Sequence, residues 1–290
     1  MAALLQWRKF NFFDVKSNID AGKLSEAVKE AEVTCSGCGR GQVYLGDASG
    51  GVHILSRQLA LTSFQAHSAP ITSITAFDHS SIIVTVATGP DGGSEVKVWA
   101  PEKADVTGVP PCLRTLCPDP RPNTGGARPP GPAPKVTSLA VHPNMSLMAL
   151  GCTDGSIMVY RGEVSRDRGS KSFVMVTLAS GVTNLHLRHT TRHTHLFATT
   201  QNQIYCINLT TKEKETTVEL DQFGCQSGCS TLADGRHEHH FLVARPDAIY
   251  SYTSDSRGSC YVFEGDKSLV AWFRGYLIVA AKDKNQTNMR

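Results

Sequence analysis

The sequence predicts an all-β protein, a WD40-like β-propeller, and two observations support this fold class. Short runs rich in Val, Ile, Thr and aromatic residues recur along the chain between Gly, Asp, Asn and Pro, as at 71–77, 81–87 and 96–99. One hairpin pattern also repeats at a spacing close to the roughly 40–45 residues of a propeller blade.

Each copy of the hairpin is an apolar strand, a polar turn and a returning strand that alternates apolar with polar residues. The copies lie at 43–55, 83–99, 148–160, 196–207 and 241–252. A further β-rich run precedes the second, third and fourth copies and predicts the first strand of a blade. The steps between the turn markers are 43, 62, 47 and 45 residues, measured at Gly50, Gly93, Gly155, Asn202 and Asp247. Because a blade buries its faces only against its neighbours, such blades must stack in a ring.

Composition excludes several classes of protein. The chain has 290 residues and 29 basic against 26 acidic side chains, a balance that does not suggest nucleic-acid binding. No apolar run approaches the roughly 18 residues of a membrane span, and the first residues lack the pattern of a secretory signal. The nine cysteines form no disulfide framework, so we expect reduced thiols in the cytoplasm.

Two segments depart from the strand pattern. Residues 23–31 (KLSEAVKEA) predict either a short helix or a solvated connection. The Pro-rich stretch 101–135 causes the long step and predicts an extended, mobile inter-blade insertion, within which 112–116 (CLRTL) could form an edge strand. It could serve as a PxxP-type ligand, but a tolerated insertion is favoured. We expect deletion of 103–133 to change the melting temperature little.

The carboxy-terminal residues predict half of a hairpin. A strand at 277–281 leads into a Lys-Asp-Lys-Asn turn without a returning strand. Propellers close by pairing the two ends of the chain, so the opening strand at 4–13 would need later strands. The prediction is therefore one propeller domain over 1–290 that lacks its closing strands, is marginally soluble and self-associates. A complete six-bladed protein with a ragged tail is the alternative.

Five stretches carry a resemblance to a known family. They are LLQWRKFNFFD (4–14), GDASGGVHIL (46–55), SFQAH (63–67), MALGCTDGSIMVYRGEVSRDRGSK (148–171) and FEGDKSLVAWFRGYLIV (263–279). Common propeller repeats do not share 165–168 and 272–276. The stretches resemble the amino-terminal propeller of the vacuolar protein sorting-associated protein 11 family, core subunits of the HOPS and CORVET membrane-tethering complexes. The resemblance runs from residue 1 to about residue 284, whereas the Pro-rich insertion and the final NQTNMR have no counterpart.

The resemblance implies a seven-bladed propeller followed by an α-solenoid and a RING zinc domain, neither of which follows residue 290. It implies a non-enzymatic scaffold in vesicle tethering, fusion and protein trafficking. Zinc and ubiquitin-ligase chemistry belong to the RING, so we expect no cofactor here. The implied partners are the other core and Rab-binding subunits, mainly through the regions beyond this chain, and indirectly SNAREs and Rab GTPases. The implied location is cytoplasmic and peripheral on late endosomes, lysosomes or vacuoles, with no nucleic acid and no small-molecule substrate.

Two other functions remain open. A generic WD40-like peptide adaptor outside membrane traffic would carry Trp-Asp ends and Gly-His starts, to which only VKVWAPE and SFQAH come near. A propeller enzyme would need acids or histidines converging at the central channel, and the sequence shows no such grouping. It also lacks a P-loop, a nucleophile elbow and an HExxH motif. We therefore predict no catalytic, cofactor-binding or metal-binding residue.

Some clusters allow a chemical interpretation and a structural one. Cys35 with Cys38, and Cys225 with Cys229, have spacings that could bind zinc, but small residues at Gly-rich turns explain them better. The histidines of 188–195 and 236–240 predict solvated loops or weak metal sites. The stretch 165–171 could contact acidic lipid headgroups or a partner's carboxylates, or be a solvated loop. His67 and His142 are interpreted as turn-supporting residues.

Overall fold

Antiparallel sheets of consecutive strands make up nearly all of the structure, so the predicted all-β class is confirmed. The computed structural model describes residues 21–89, 91–121, 131–166, 170–210, 216–234 and 239–281. Five four-stranded sheets and one two-stranded sheet follow one another, and each keeps its strands in sequence order. We call them blades one to six.

The strands are numbered along the chain. Blade one contains β1 (Val33–Gly39), β2 (Gln42–Asp47), β3 (Gly51–Leu55) and β4 (Leu61–Gln65). Blade two contains β5 (Ile71–Ala76), β6 (Ile83–Thr88), β7 (Ser94–Trp99) and β8 (Cys112–Leu116). Blade three contains β9 (Val136–Val141), β10 (Leu147–Cys152), β11 (Ser156–Gly162) and β12 (Ser170–Thr177).

The second half continues in the same way. Blade four contains β13 (Val182–His189), β14 (Thr194–Thr200), β15 (Ile204–Asn208) and β16 (Thr217–Asp221). Blade five contains β17 (Ser230–Asp234), β18 (His239–Ala244), β19 (Ala248–Tyr252) and β20 (Arg257–Val262), and blade six contains β21 (Lys267–Phe273) and β22 (Tyr276–Ala281). A helix, α1 (Ala21–Glu30), precedes blade one, so the helical interpretation of 23–31 is confirmed. The five hairpins predicted from the repeat are β2–β3, β6–β7, β10–β11, β14–β15 and β18–β19.

The hydrophobic core consists of layers between neighbouring blades. Successive side chains of a strand point to opposite faces, so adjacent residues contact different neighbours. In blade three, Met148 and Leu150 pack with residues of blade two, whereas Ala149 packs with residues of blade four. In blade four, Leu196 packs towards blade three and Phe197 towards blade five. These blades bury both faces against their neighbours, as a propeller requires.

A repeated bulge fastens the first strand of one blade to the next blade. The register between the first and second strands shifts at Thr34 in β1 and at Thr137 in β9. Thr34 Oγ1 donates to the carbonyl of Ile71 at 2.5 Å, and Thr137 Oγ1 donates to that of Val182 at 2.6 Å. Because Ile71 and Val182 begin the first strands of the following blades, each hydroxyl links two adjacent blades.

The turns between second and third strands pack against the connections between blades. Gly50 (φ 91°) and Gly155 (φ 86°) have left-handed backbones. A Cβ atom on Gly50 would lie 2.1 Å from the carbonyl oxygen of His67, and one on Gly155 would lie 2.4 Å from that of Leu178. Only glycine satisfies both constraints, which explains two of the turn markers read from the sequence.

The Pro-rich segment 101–135 contains packed structure as well as connecting loop. It starts with a 3-10 helix (Pro101–Lys103) and contains β8, the fourth strand of blade two, which confirms the strand at 112–116. Arg114 of β8 is buried, and its Nη1 donates to the carbonyl of Val164 at 3.2 Å. Residues 122–130 lie outside the described part.

The strand at 277–281 has a partner, contrary to the expectation of a lone strand. It belongs to β22, which pairs with β21 through a tight turn at Arg274 (φ 48°) and Gly275 (φ 88°). The hairpin repeat does not mark 267–273 as the first strand of this blade, because the charged and apolar residues of 263–273 follow no turn signal of the repeat. The predicted turn after residue 281 and the predicted opening strand at 4–13 lie outside the described residues.

Antiparallel pairing places the connections on two rims. The turns between second and third strands share one rim with the connections between blades, and we call this the hairpin rim. The remaining turns, between first and second and between third and fourth strands, lie on the opposite rim.

Candidate binding surfaces

Two clefts open between neighbouring blades, one on each rim. The hairpin-rim cleft measures about 580 Å³ where blades four, five and six meet, and it is lined by residues from 201–202, 223–229, 244–247 and 266–268. The opposite-rim pocket measures about 360 Å³ between blades three and four, and it is lined by residues from 142–147, 161–162, 189–194 and 209–210. Clefts of this size accommodate side chains or short segments of a partner.

Asp221 holds Arg245, one of the residues that line the hairpin-rim cleft. Its Oδ2 accepts a hydrogen bond from the hydroxyl of Tyr252 at 2.6 Å and lies 3.1 Å from Nη2 of Arg245. Burial alone would raise the pKa of Asp221, but the hydrogen bonds from Tyr252 and Arg245 and the charge of Arg245 outweigh burial and lower it. This ionised carboxylate therefore ties the end of β16 to β19 and to the turn at Arg245.

Lys267, at the start of β21, is fully engaged with backbone carbonyls. The side chain is buried, and its Nζ donates to the carbonyls of Arg245 at 2.7 Å, of Pro246 at 3.0 Å and of Phe263. Burial lowers the pKa of the Lys267 amine. Because an ammonium group has three N–H donors and all three are used, Lys267 closes the cleft floor and is not free to bind a ligand.

The mouth of the hairpin-rim cleft offers an apolar ring. Phe223 is 67% exposed, and the guanidinium of Arg245 lies 5.5 Å from the centre of its ring. Exposed aromatic side chains are enriched at protein–protein interfaces, and the polar groups beside Phe223 are already hydrogen-bonded within the fold. This combination favours contact with a partner surface.

The opposite-rim pocket brings together two histidines and an arginine. The rings of His142 and His189 meet edge to face with their centres 4.3 Å apart. Burial lowers the pKa of His142, and the neighbouring His189 lowers it further. Nδ1 of His142 accepts the backbone N–H of Asn144 at 3.2 Å, which confirms its predicted turn-supporting role. Arg161 donates from Nη1 to the carbonyl of Leu209 at 3.0 Å and so connects blade three to blade four.

His67 has a structural role, although its side chain links two strands and does not support a turn as predicted. Its Nε2 lies 2.7 Å from Oγ1 of Thr85, its Nδ1 lies 2.8 Å from a carboxylate oxygen of Glu95, and Trp99 donates to the same Thr85 hydroxyl at 3.0 Å. Burial lowers the pKa of His67, and the charge of Lys97 acts in the same direction, against the opposing effect of Glu95. This buried network holds blade two together.

The cysteines singled out in the sequence lie in different layers. Cys35 and Cys38 are on β1, and Cys35 packs with the blade one–two core. Cys225 and Cys229 are buried in the blade four–five core, where burial raises the pKa of the Cys225 thiol to about 11. Cys229 Sγ contacts the carbonyl of Lys267 at 3.2 Å. A thiol in such surroundings is a small apolar core group.

The histidine-rich stretches do not converge on a metal site in the described residues. His189 contacts Thr194 Oγ1 at 2.9 Å, and the rings of His193 and His195 are 5.8 Å apart. Within the described ranges, no group of three or more His, Cys, Asp or Glu is placed to hold a metal ion. Residues 236–238 of the second stretch and 167–169 of the basic stretch 165–171 lie outside those ranges. The described part of the chain also contains no helix with the length and apolar character needed to cross a membrane.

Sequence reasoning did not find either cleft. It singled out His142 and His189 separately but not Arg161, whose position beside them depends on the packing of blade three on blade four. It also missed Asp221, Arg245 and Tyr252. Asp221 is far from Arg245 and Tyr252 in sequence, and the fold brings them within hydrogen-bonding distance across blades four and five.

Comparison with known proteins gives a consistent relationship. Residues 7–290 match the family described as PEP5/VPS11 N-terminal. The chain is 35% identical over 302 aligned residues to the vacuolar protein sorting-associated protein 11 homolog of Homo sapiens, covering 98% of this chain and 31% of that protein. It is 30% identical to the homolog of Arabidopsis thaliana, covering 98% of this chain and 30% of that protein. The chain thus spans about three tenths of the length of these relatives.

Among solved structures, the computationally designed Ika8 protein has a similar fold. Its TM-score to this chain is 0.58 at 18% sequence identity, over 86% of this chain and 68% of that protein. At this identity the likeness concerns the fold alone.

Proposed function

Since the chain belongs to the PEP5/VPS11 N-terminal family, we propose that it is a non-enzymatic scaffold module in vacuolar protein sorting. It acts as the rigid head of a HOPS- or CORVET-type tethering subunit, in vesicle tethering and fusion at late endosomes, lysosomes or vacuoles. The match over residues 7–290 is the observation that carries this proposal.

The structure supports a docking role over a catalytic one. Three of the four charged groups that line the hairpin-rim cleft are committed to the fold, because Arg245 is paired with Asp221, Lys267 donates to carbonyls and Asp247 accepts from the Tyr250 hydroxyl. A general acid or base must instead be able to reach a substrate and exchange a proton with it. Rigid rims with preformed clefts suit the binding of partner segments with little reorganisation.

The partners follow from the family and from the length of its members. Because the chain spans about three tenths of these relatives, the remaining length supplies most contacts with the other core and Rab-binding subunits. The propeller then lies at the periphery of the assembly. It is cytoplasmic and reaches membranes, SNAREs and Rab GTPases through the complex.

A complementation experiment tests the function. The aligned part of the human relative is replaced by this chain, and the chimera is expressed in cells that lack the relative. We expect restored delivery of a lysosomal protease to its compartment. A chimera that is folded and abundant but restores no delivery would contradict the proposal.

A pull-down tests the proposed division of contacts. The tagged 290-residue chain and the tagged full-length human relative are isolated from the same cells, and recovery of the other core subunits is measured by blotting. We expect strong recovery with the full-length protein and poor recovery with the chain alone. Equal recovery would place the assembly contacts on the blades.

A further inference from the structure

Arg161, which is half-buried, brings a positive charge to the opposite-rim pocket. Nη1 donates to the carbonyl of Leu209, whereas Nε and Nη2 are shielded from solvent and have no hydrogen-bond partner in the described structure. A guanidinium has five N–H donors, so most of this donor capacity is unused. Leaving buried donors of a charged group unsatisfied destabilises a protein, and an anion at this position would relieve that cost.

The residues around Arg161 provide no counter-charge. The lining of the opposite-rim pocket contains no Asp or Glu among the described residues, and Arg161 is its single Lys or Arg side chain. The centre of the Phe173 ring lies 5.8 Å from the Arg161 guanidinium, a contact that favours the cation without neutralising it. The site therefore carries one permanent positive charge that no carboxylate of the described chain compensates.

The walls of the pocket add groups that can donate hydrogen bonds. Because Nδ1 of His142 accepts the N–H of Asn144, the proton of the neutral ring lies on Nε2, which makes that nitrogen a donor. The hydroxyls of Ser146 and Thr210 belong to the same lining. A guanidinium group surrounded by neutral hydrogen-bond donors can bind the two oxygens of an oxyanion.

We propose that the opposite-rim pocket binds a carboxylate, carried by an acidic side chain of a protein partner. One permanent cation matches the single charge of a carboxylate and leaves a phosphate dianion only half compensated. A pocket of about 360 Å³ accommodates the side chain that carries the group. The assignment to a partner rests on the docking function proposed above, whereas the binding of a carboxylate does not.

The purified 290-residue chain tests the binding directly. Acetate and glutarate are titrated at constant ionic strength against chloride, and the imidazole signals of His142 and His189 are followed by NMR. Single His→Gln variants at both positions assign the signals. We expect a saturable shift of both signals with the carboxylates, and at least about tenfold weaker binding, a loss of roughly 1.4 kcal/mol, in Arg161→Met.

Matched variants separate the role of Arg161 from a general effect of charge. Arg192 is an exposed arginine in the β13–β14 turn that does not itself line the pocket, and Arg192→Met should bind as the unmodified chain does. If Arg161→Met does not fold, Ser146→Phe tests the same pocket, because the larger side chain would fill the exposed mouth and abolish the shift.

The remaining outcomes decide against the proposal. No saturable shift in the unmodified chain, or an equal shift in Arg161→Met or Ser146→Phe, would show that the pocket is not a carboxylate site. Inorganic phosphate is titrated in parallel, and saturation by phosphate without saturation by the carboxylates would overturn the assigned ligand class. Failure of the complementation experiment with intact carboxylate binding would reject the proposed function and leave the pocket assignment standing.

Discussion

Nε2 of His67 lies 2.7 Å from Oγ1 of Thr85, and this contact joins the connection leaving blade one to the second strand of blade two. The same hydroxyl accepts a hydrogen bond from Nε1 of Trp99 on the third strand. His67 and Thr85 are both buried, so one hydroxyl satisfies two buried ring nitrogens from different parts of the blade. Blade two is therefore stabilised by this side-chain network as well as by the backbone hydrogen bonds between its strands.

Replacing Thr85 by valine should remove this link with little change in shape. His67 and Trp99 would each lose a buried partner, and we expect the free energy of unfolding to fall by about 2–3 kcal/mol in urea denaturation. Thr62, an exposed threonine on β4, provides the control, since Thr62→Val should stay within about 0.5 kcal/mol. Equal effects of the two substitutions would show that the hydroxyl network contributes nothing specific.

His186 should make the fold sensitive to mild acid. Its Nε2 lies 3.0 Å from the Ser230 hydroxyl, and burial lowers its pKa to about 4. Between this value and the ordinary pKa of about 6.5, the unfolded chain binds a proton that the folded chain does not, so stability falls as the pH falls. We expect His186 to account for a loss of at most about 2 kcal/mol between pH 7 and pH 5.

The His186→Gln variant isolates this contribution. It keeps a hydrogen-bonding side chain without the titrating ring, so its stability should fall less steeply over the same pH range. His193, which is exposed, provides the matched control in His193→Gln. Parallel pH profiles of His186→Gln and the unmodified chain would contradict the prediction.

Deletion of 103–133 should destabilise the chain, and this replaces the expectation drawn from composition. The deletion removes β8, and with it the contact of Arg114 with the carbonyl of Val164. We expect a loss above about 3 kcal/mol, since the deletion also opens the edge of blade two. Thermal and urea denaturation measure it.

A shorter deletion provides the control. Nη1 of Arg121 donates to the carbonyl of Gly131 at 3.1 Å, so these two residues lie close enough to be joined by a short Gly/Ser linker. Removing 122–130 in this way should change stability by less than about 1 kcal/mol. A large loss from the short deletion would show that 122–130 is needed for the fold.

The chain should self-associate through blade six. Its outer surface shows apolar side chains, with Leu269 49%, Phe273 56% and Ile278 38% exposed, and β22 pairs only with β21 within the described residues. An open strand edge beside an apolar surface favours pairing between chains. Sedimentation velocity at increasing concentration should show dimers or larger species, and Ile278→Lys should reduce them. Val106→Lys, at a fully exposed isolated position, should not.

The regular part of this fold was predictable because each blade of a propeller repeats the same pattern of strand and turn residues. The hairpins could be located from alternating side chains and turn residues alone. A second regular signal was present but was not used, namely the Val-Thr or Ile-Thr pairs at 33–34, 71–72, 136–137 and 182–183 that start the first strands. These pairs become interpretable only in the structure, where the Thr34 and Thr137 hydroxyls donate to a carbonyl of the next blade.

The packing of the Pro-rich segment and the positions of the clefts depend on contacts that the repeat does not encode. Strand β8 lies among prolines, and its pairing with β7 outweighs the unfavourable local composition. The lack of a hydrogen-bond partner for Nε and Nη2 of Arg161 among the described residues depends on which side chains of blades three and four face them, and a single sequence cannot show that. Surface sites formed between two blades are therefore harder to predict than the blades.

The consecutive order of strands within every blade has a consequence for synthesis. The four strands of blade one lie within residues 33–65, and among the described residues they pair with no strand that is translated later. A ribosome adds roughly 5–20 residues per second, whereas a hairpin closes in about 1–10 μs. Each blade can thus form while the next is still being translated. Its apolar face then stays exposed to solvent for seconds, until the following blade covers it.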